Sequence, residues 1–410
     1  MRRRVAVLCT VLVALAATAA LLGCGGEPDD DTTSGSLVLT VYTAGPLRGE
    51  NGRAAQDGAD AVKLALAQAN GMVGPFTVNV VSFDDTDPDT GRWDADAVVG
   101  NARRAISDRN VMAYIGMAGS GATALSLPLL NEAGVLQVSP ESGYVGLTRP
   151  AGRGEPERFY PSGVRTFGRI APADDVQARA LLEAMREEGV GRLAVLHDGE
   201  LEALGLASLV SRQAAEAGIR VVEEEAIDPG EEDQSDAARE VAESGADAAL
   251  YAGTRADAGA RVLDALHEAS PQLALFASAG LANTAFASAI GPATARRLLI
   301  ASPAIPLERL SPAARRFGEA FRRAYGRDPV PGAVFAYEAM RAVLAAVRAA
   351  GPKGNDRAAI VQAYAGLRDR ATTLGRWSVT EHGDSTLRRY GIWRVRDGRL
   401  AFVREADPGT

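Results

Sequence analysis

Apolar runs of four to seven residues alternate with helical segments along this chain, stop at one irregular loop, and then begin again. The first series opens with Leu37 to Thr43 (LVLTVYT), a strand, followed by a turn at Gly45-Pro46-Leu47 and helical periodicity from Ala54 to Ala69. Thr77 to Phe83 is the next strand, Ala95 to Ser107 the next helix, and Val111 to Ile115 and Val135 to Val138 are further strands with a helix between them. Strands separated by helices pair in parallel, because the crossover returns each strand to the same end of the sheet. Arg149 to Gly163, rich in Pro, Gly and Arg, breaks the rhythm and reads as a surface loop.

The alternation restarts with strands at Leu193 to His197, Ile219 to Val222, Ala248 to Ala252, Leu273 to Ala277 and Leu298 to Ala301. Helices are expected at Leu204 to Ala217, Ser235 to Ser244 and Ala256 to Ala269. Three helices in succession follow, at Pro312 to Tyr325, Val334 to Ala350 and Asp356 to Leu367. They must pack on an earlier sheet, since short helices are marginal alone. Short strands at Trp377 to Val379, Tyr390 to Val395 and Leu400 to Val403 end the series, with Asp397-Gly398 as a hairpin signal. The fold class is therefore α/β, with two doubly wound, Rossmann-like halves; about 375 residues exceed what one core usually holds.

The N-terminus speaks to compartment. Arg2, Arg3 and Arg4 precede an apolar stretch from Val5 to Leu22, and Leu21-Leu22-Gly23-Cys24 resembles a bacterial lipoprotein box. On that reading residues 1–23 are a signal peptide, Cys24 carries lipid, and residues 24–36 are a flexible tether rich in Gly, Ser and Asp. The competing reading is an uncleaved signal anchor. With Cys9 removed and Cys24 lipidated, no thiol remains for a disulfide, a metal site or a nucleophile. His197, His267 and His382 match no spaced metal motif. The full chain has net charge −8, which becomes −11 without the three signal arginines, so a nucleic-acid partner is not expected.

Gly119 to Ala124 fits G-x-G-x-x-A with Glu141 about twenty residues on, a passable dinucleotide fingerprint. It follows the third strand rather than the first, and neither Lys63 nor Lys353 has a tyrosine four residues before it. No G-x-S-x-G elbow is present. The expectation is a binding protein with no catalytic residues, no metal and no cofactor.

Several motifs occur in a familiar order: Gly45-Pro46-Leu47, Phe83-Asp84-Asp85 with Asp87-Pro88, IGMAGSGAT from Ile115 to Thr123, Val138-Ser139-Pro140, Leu196-His197-Asp198, and GRWSVTEHGD from Gly375 to Asp384. Together, from about Leu37 to about Val403, they resemble the leucine/isoleucine/valine-binding protein family, the type I solute-binding components of ABC importers. The resemblance implies a type I periplasmic-binding-protein fold with three crossovers, near Arg169–Pro172, Ser302–Pro303 and Leu374–Arg376. The N-terminal lobe would be residues 37–169 plus 303–374 and the C-terminal lobe 170–302 plus 375–405. It also implies that a small ligand (an amino acid or an amide-like solute) is held between the lobes, with a permease and an ATPase as partners and the lipid as membrane anchor. A sensory receptor of the same fold is the alternative, since fold alone does not separate the two; permease and ATPase genes nearby would mark the importer.

The same resemblance points to site residues. Ser120, Gly121 and Thr123, at a helix N-terminus, are expected to hold a ligand carboxylate through hydroxyls and backbone amides. Ser142 and Gly143 occupy the second ligand loop, where Gly143 replaces the family's usual threonine and Ser142 is a substitute donor. In the other lobe Glu202 and Thr254 stand where aromatics are expected, and Ala279 where the family has the glutamate that pairs with the ligand's ammonium. Either Glu202 or Glu141 supplies that counter-charge, or the ligand is not a free α-amino acid; the plain alternative for Glu202 is a solvated helix residue. Tyr144, Leu47 and Arg48 are expected at the rim. A bulky residue at Ser120 should abolish ligand-induced stabilisation and leave the apo melting point nearly unchanged.

Overall fold

The computed structural model describes residues 37–49, 52–116 and 118–406, so the expected signal peptide at 1–23, Cys24 and the expected tether at 24–36 lie outside the described residues. Among them, two sheets each gather helices on both faces.

The first sheet holds β1 (Val38–Gly45), β2 (Met72–Val73), β3 (Phe76–Asp84), β4 (Val111–Ile115), β5 (Leu136–Ser139) and β6 (Phe167–Arg169) in the order β2-β3-β1-β4-β5-β6. All its pairs are parallel except the short β2–β3 hairpin at the edge. The central strand β4 is buried throughout, as a parallel strand covered on both faces must be. One face packs Leu39, Val41 and Ala113 against α1 (Gly52–Gln68) and the long helix Ala333–Ala350. The other packs Tyr42, Tyr114 and Leu130 with α2 (Ala95–Ser107) and α3 (Ser120–Glu132).

After β6 the chain passes to the second sheet through α4 (Asp174–Glu187), a helix the sequence reading left unassigned. Its signal was present: Asp174 and Asp175 in the first turn, and buried Val176, Ala180, Leu181, Ala184 and Met185 at helical spacing. The second sheet holds β7 (Arg192–His197), β8 (Arg220–Ala226), β9 (Ala248–Ala252), β10 (Ala274–Ala277) and β11 (Leu298–Ser302) in parallel. Helices α5 (Leu201–Gln213), α6 (Ser235–Ser244) and α7 (Ala256–Ala269) connect them.

From β11 the chain returns to the first sheet. The helix Pro312–Tyr325 starts on Ser311, whose Oγ accepts from the Ala314 amide at 3.0 Å, and stops at Gly326 in a left-handed conformation. Phe317 and Phe321 from this helix, and Ile360 and Tyr364 from the helix Arg357–Ala365, join the first core.

The last passage comes later than the resemblance implied. Leu374, Trp377 and Val379 still belong to the first core, and a two-stranded hairpin, Arg370–Thr372 with Gly375–Trp377, precedes the crossing at 380–389. Trp377 is 1% exposed, and burying an indole outweighs the loop preference of its neighbours. The strands Tyr390–Arg396 and Arg399–Ala406 then extend the second sheet in antiparallel fashion beyond β11.

Candidate functional site

The residues expected from sequence to contact a ligand lie just beyond the carboxyl ends of parallel strands, where crossover helices diverge. Ser120, Gly121 and Thr123 open α3 after β4; Ser142 and Gly143 follow β5. Across the seam, Glu202 opens α5 after β7, Thr254 follows β9 and Ala279 follows β10.

On the first half, the hydroxyls are committed to one another. Thr123 Oγ1 and Ser142 Oγ share a hydrogen bond at 2.7 Å, and Ser142 Oγ also donates to the Ala118 carbonyl at 3.2 Å. Ser142, expected as a ligand donor, has no exposure at all and ties the two loops together. Ser120 is 2% exposed, and its Oγ accepts from the Tyr144 amide at 3.1 Å. That bond corrects the expectation for a bulky residue at position 120, which would disturb the apo protein as well as ligand binding.

Arg169, fully buried, braces the second loop. Its guanidinium donates to the carbonyls of Ser142 at 2.7 Å and Tyr144 at 3.0 Å and to Thr148 Oγ1 at 2.8 Å. Its charge is met by Asp384 at 2.8 Å, from the final crossing. The five-donor fork of arginine suits this convergence, and no lysine makes it.

On the second half, the Thr254 amide and hydroxyl donate to Asp198 Oδ2 at 2.8 and 3.2 Å. The Ala279 amide donates to Gln177 Oε1 at 2.8 Å, and Gln177 Nε2 donates to Asp174 Oδ1 at 3.1 Å. Asp174 and Gln177, both on the unassigned helix α4, are the residues sequence reasoning missed. Asp174 lies against Gly143, where any Cβ would collide with its carboxylate. That contact explains the glycine at this position.

Further contacts cross the seam. Glu202 Oε2 accepts from the Gly121 amide at 3.0 Å, Arg92 pairs with Glu200 at 3.0 Å, and the Tyr144 ring rests against Gly205 of α5. Glu202 is thus tied to a helix amide, and among the described residues no cation pairs with it. Glu141 turns instead toward Gly332, and Leu47 and Arg48 are tied to Asp84 at 3.2 and 2.8 Å.

Burial, with the Glu202 charge adding to it against the favourable Arg169, pushes the Asp174 carboxyl up to about 7. Burial beside Asp84 does the same to Asp85, 1% exposed. A carboxyl raised in the folded state binds its proton more tightly there than in the unfolded chain. Its contribution is present in full below the unfolded value near 4 and is lost as pH rises through 7. The melting temperature is therefore expected to fall between pH 5 and pH 8, and Asp174→Asn should flatten that slope. An unchanged slope in a differential-scanning series would contradict the assignment.

Among the described residues no three His, Cys, Asp or Glu side chains come together to hold a metal ion. No helix among them is long and apolar enough to cross a membrane.

Comparison with known proteins agrees with this architecture. A family model described as periplasmic binding protein matches residues 41–399. The Leu/Ile/Val-binding protein homolog 3 of Brucella melitensis is 26% identical over 368 residues, covering 88% of this chain and 92% of that one. A leucine-binding protein from Thermotoga maritima superposes with a TM-score of 0.77 at 21% identity, over 90% of this chain and 99% of that one. A solute-binding protein of an ABC transporter from R. palustris, in complex with benzoate, gives 0.72 at 17% identity, over 90% and 97%.

Proposed function

The chain belongs to the periplasmic binding protein family, carries its type I fold, and is a solute-binding protein rather than an enzyme; from that premise we propose that it is the extracytoplasmic substrate-binding lipoprotein of an ABC importer. Its solute is a branched-chain amino acid or a related small polar molecule, taken up between the two halves. The observation that carries this reading is the seam itself. Backbone amides, hydroxyls and carboxylates from five strand ends converge there, and the contacts that cross it include Gly121 with Glu202, Arg92 with Glu200, Tyr144 with Gly205, Gly143 with Asp174 and Arg149 with Asp175. Hydrogen bonds and ion pairs of this kind can part and re-form as two halves swing open and shut about their connecting segments.

In this reading Ser120, Gly121, Thr123, Ser142 and Gly143 shape one wall and Glu202, Thr254 and Ala279 the other. Thr123, Ser142 and Ser120 act by holding the loops, and the turn at Gly121 with Glu202 against it borders the solute. Cys24 carries the lipid that keeps the protein on the outer face of the cytoplasmic membrane, and a permease with its ATPase receives the solute.

The test is a thermal-shift screen of the purified protein against amino acids, amides, amines, short carboxylates and sugars. A solute at a hundred times its dissociation constant adds about 2.7 kcal/mol to stability. A screen in which no class of small solute shifts the melting temperature would overturn the reading. Labelling with radioactive palmitate, lost in Cys24→Ala, tests the anchor.

A further inference from the structure

Helix α3 lacks a cap of its own. Gly119 stands at its N-cap with no side chain to accept a hydrogen bond, and its first turn contains no acidic residue. The N-terminus of a 13-residue helix presents donor amides and a positive dipole end, and so attracts an anion. Here the anion is already in place. Glu202 reaches across from the other half, and its carboxylate takes the Gly121 amide at 3.0 Å. A Cβ built on Gly119 would sit 3.3 Å from Glu202 Oε1, a tight contact, and one on Gly121 3.7 Å from Oε2, an ordinary one, so the carboxylate lies directly against this turn. The Trp93 indole flanks the same spot, 3.2 Å from that Cβ position on Gly121.

A second, independent feature points the same way. Asp174 is 5% exposed; its Oδ1 accepts from Gln177, and its Oδ2, buried, has no hydrogen-bond partner. An acceptor of this kind costs free energy until a donor reaches it. Cations beside the seam are already engaged. Arg92 is bound to Glu200, and Arg169 to Asp384 and three oxygens of the second loop.

Resting on the reading of the seam as a solute site, we infer that Glu202 is its specificity-determining residue: it occupies the anion position at the α3 N-terminus, so the solute is a small amine or amide without a carboxylate, whose N–H groups are met by Asp174 Oδ2 and the outer face of Glu202. A free α-amino acid must displace Glu202 from Gly121, and its carboxylate would then lie beside the displaced carboxylate of Glu202. Like charges at such spacing in a partly desolvated seam repel strongly.

Calorimetric titration of the purified protein with leucine, leucinamide and 3-methylbutylamine tests this. The wild-type protein should bind leucinamide or the amine at least tenfold tighter than leucine. Glu202→Ala, which vacates the helix end, should narrow or invert that ratio by tenfold or more, while Asp174→Asn should weaken the amine by a similar factor. Apo melting temperatures of both variants report whether the fold is intact, and Glu202→Gln, retaining an acceptor for Gly121 without the charge, should fall between wild type and Glu202→Ala. Leucine binding to the wild type as tightly as leucinamide, or an unchanged ratio in Glu202→Ala, would overturn the inference. If none of the three binds but another solute class from the screen does, the inference falls and the solute-capture reading stands. If nothing binds, both fall.

Discussion

Arg169→Leu is expected to destabilise the protein by about 3–5 kcal/mol, the usual cost of removing one partner from a buried ion pair. The loss has two parts. Asp384, 6% exposed, keeps its charge with only Arg149 at 3.1 Å to answer it, and the carbonyls of Ser142 and Tyr144 lose their donors. At roughly 2–4 °C per kcal/mol for domains somewhat smaller than this, the melting temperature should drop by about 10 °C. Arg169→Lys restores the charge without the fork and should recover only part of the loss. A drop within a degree or two for Arg169→Leu would mean that the second loop holds its shape without the guanidinium.

The second large effect falls on closure rather than stability. Gly205 lies in α5, and a Cβ there would sit 2.5 Å from Cδ2 and 2.6 Å from Cε2 of Tyr144, which belongs to the other half. Gly205→Leu should keep the halves apart at this point. Overpacking of this sort costs about 1–3 kcal/mol, a loss of roughly five- to two-hundredfold in solute affinity. The apo melting temperature should hold or rise, because a helix interior favours leucine over glycine by somewhat under 1 kcal/mol. Opposite signs for the two readouts distinguish a closure defect from misfolding. Adding Tyr144→Ala should restore affinity in part; the rescue is incomplete because the Tyr144 hydroxyl also bonds to Glu155 at 2.5 Å.

These two positions show where local and long-range information part company. The helices Ala95–Ser107, Ser235–Ser244, Ala256–Ala269 and Pro312–Tyr325 run between the residues expected from sequence. Their signals are local: Asp94 and Ser311 cap two of them, glycines end two, and apolar spacing marks the buried face. Helix α4 escaped although Pro172 precedes it and Gly189, at φ 77°, follows it; it stands directly after a crossing, where the alternation of strand and helix is interrupted. With it went Asp174 and Gln177, the link between Gly143 and Ala279. The hairpin at Arg370–Thr372 and Gly375–Trp377 was likewise misread as the place of crossing, because only the buried indole of Trp377 reveals which core it serves.

The sequence by itself determined the architecture: strand–helix alternation in two series, and the strand-end positions of Ser120, Gly121, Thr123, Ser142, Gly143, Glu202, Thr254 and Ala279. Periodicity and capping operate over a few residues and are therefore written directly into the chain. Only the tertiary structure decided what those side chains do. Glu202 and Gly121 are 81 residues apart, and Arg169 and Asp384 are held together at 2.8 Å from opposite ends of the chain's path between the two sheets. Whether a carboxylate serves a solute, a cation or a helix amide depends on which partner folding brings within 3 Å, and no local pattern encodes that partner.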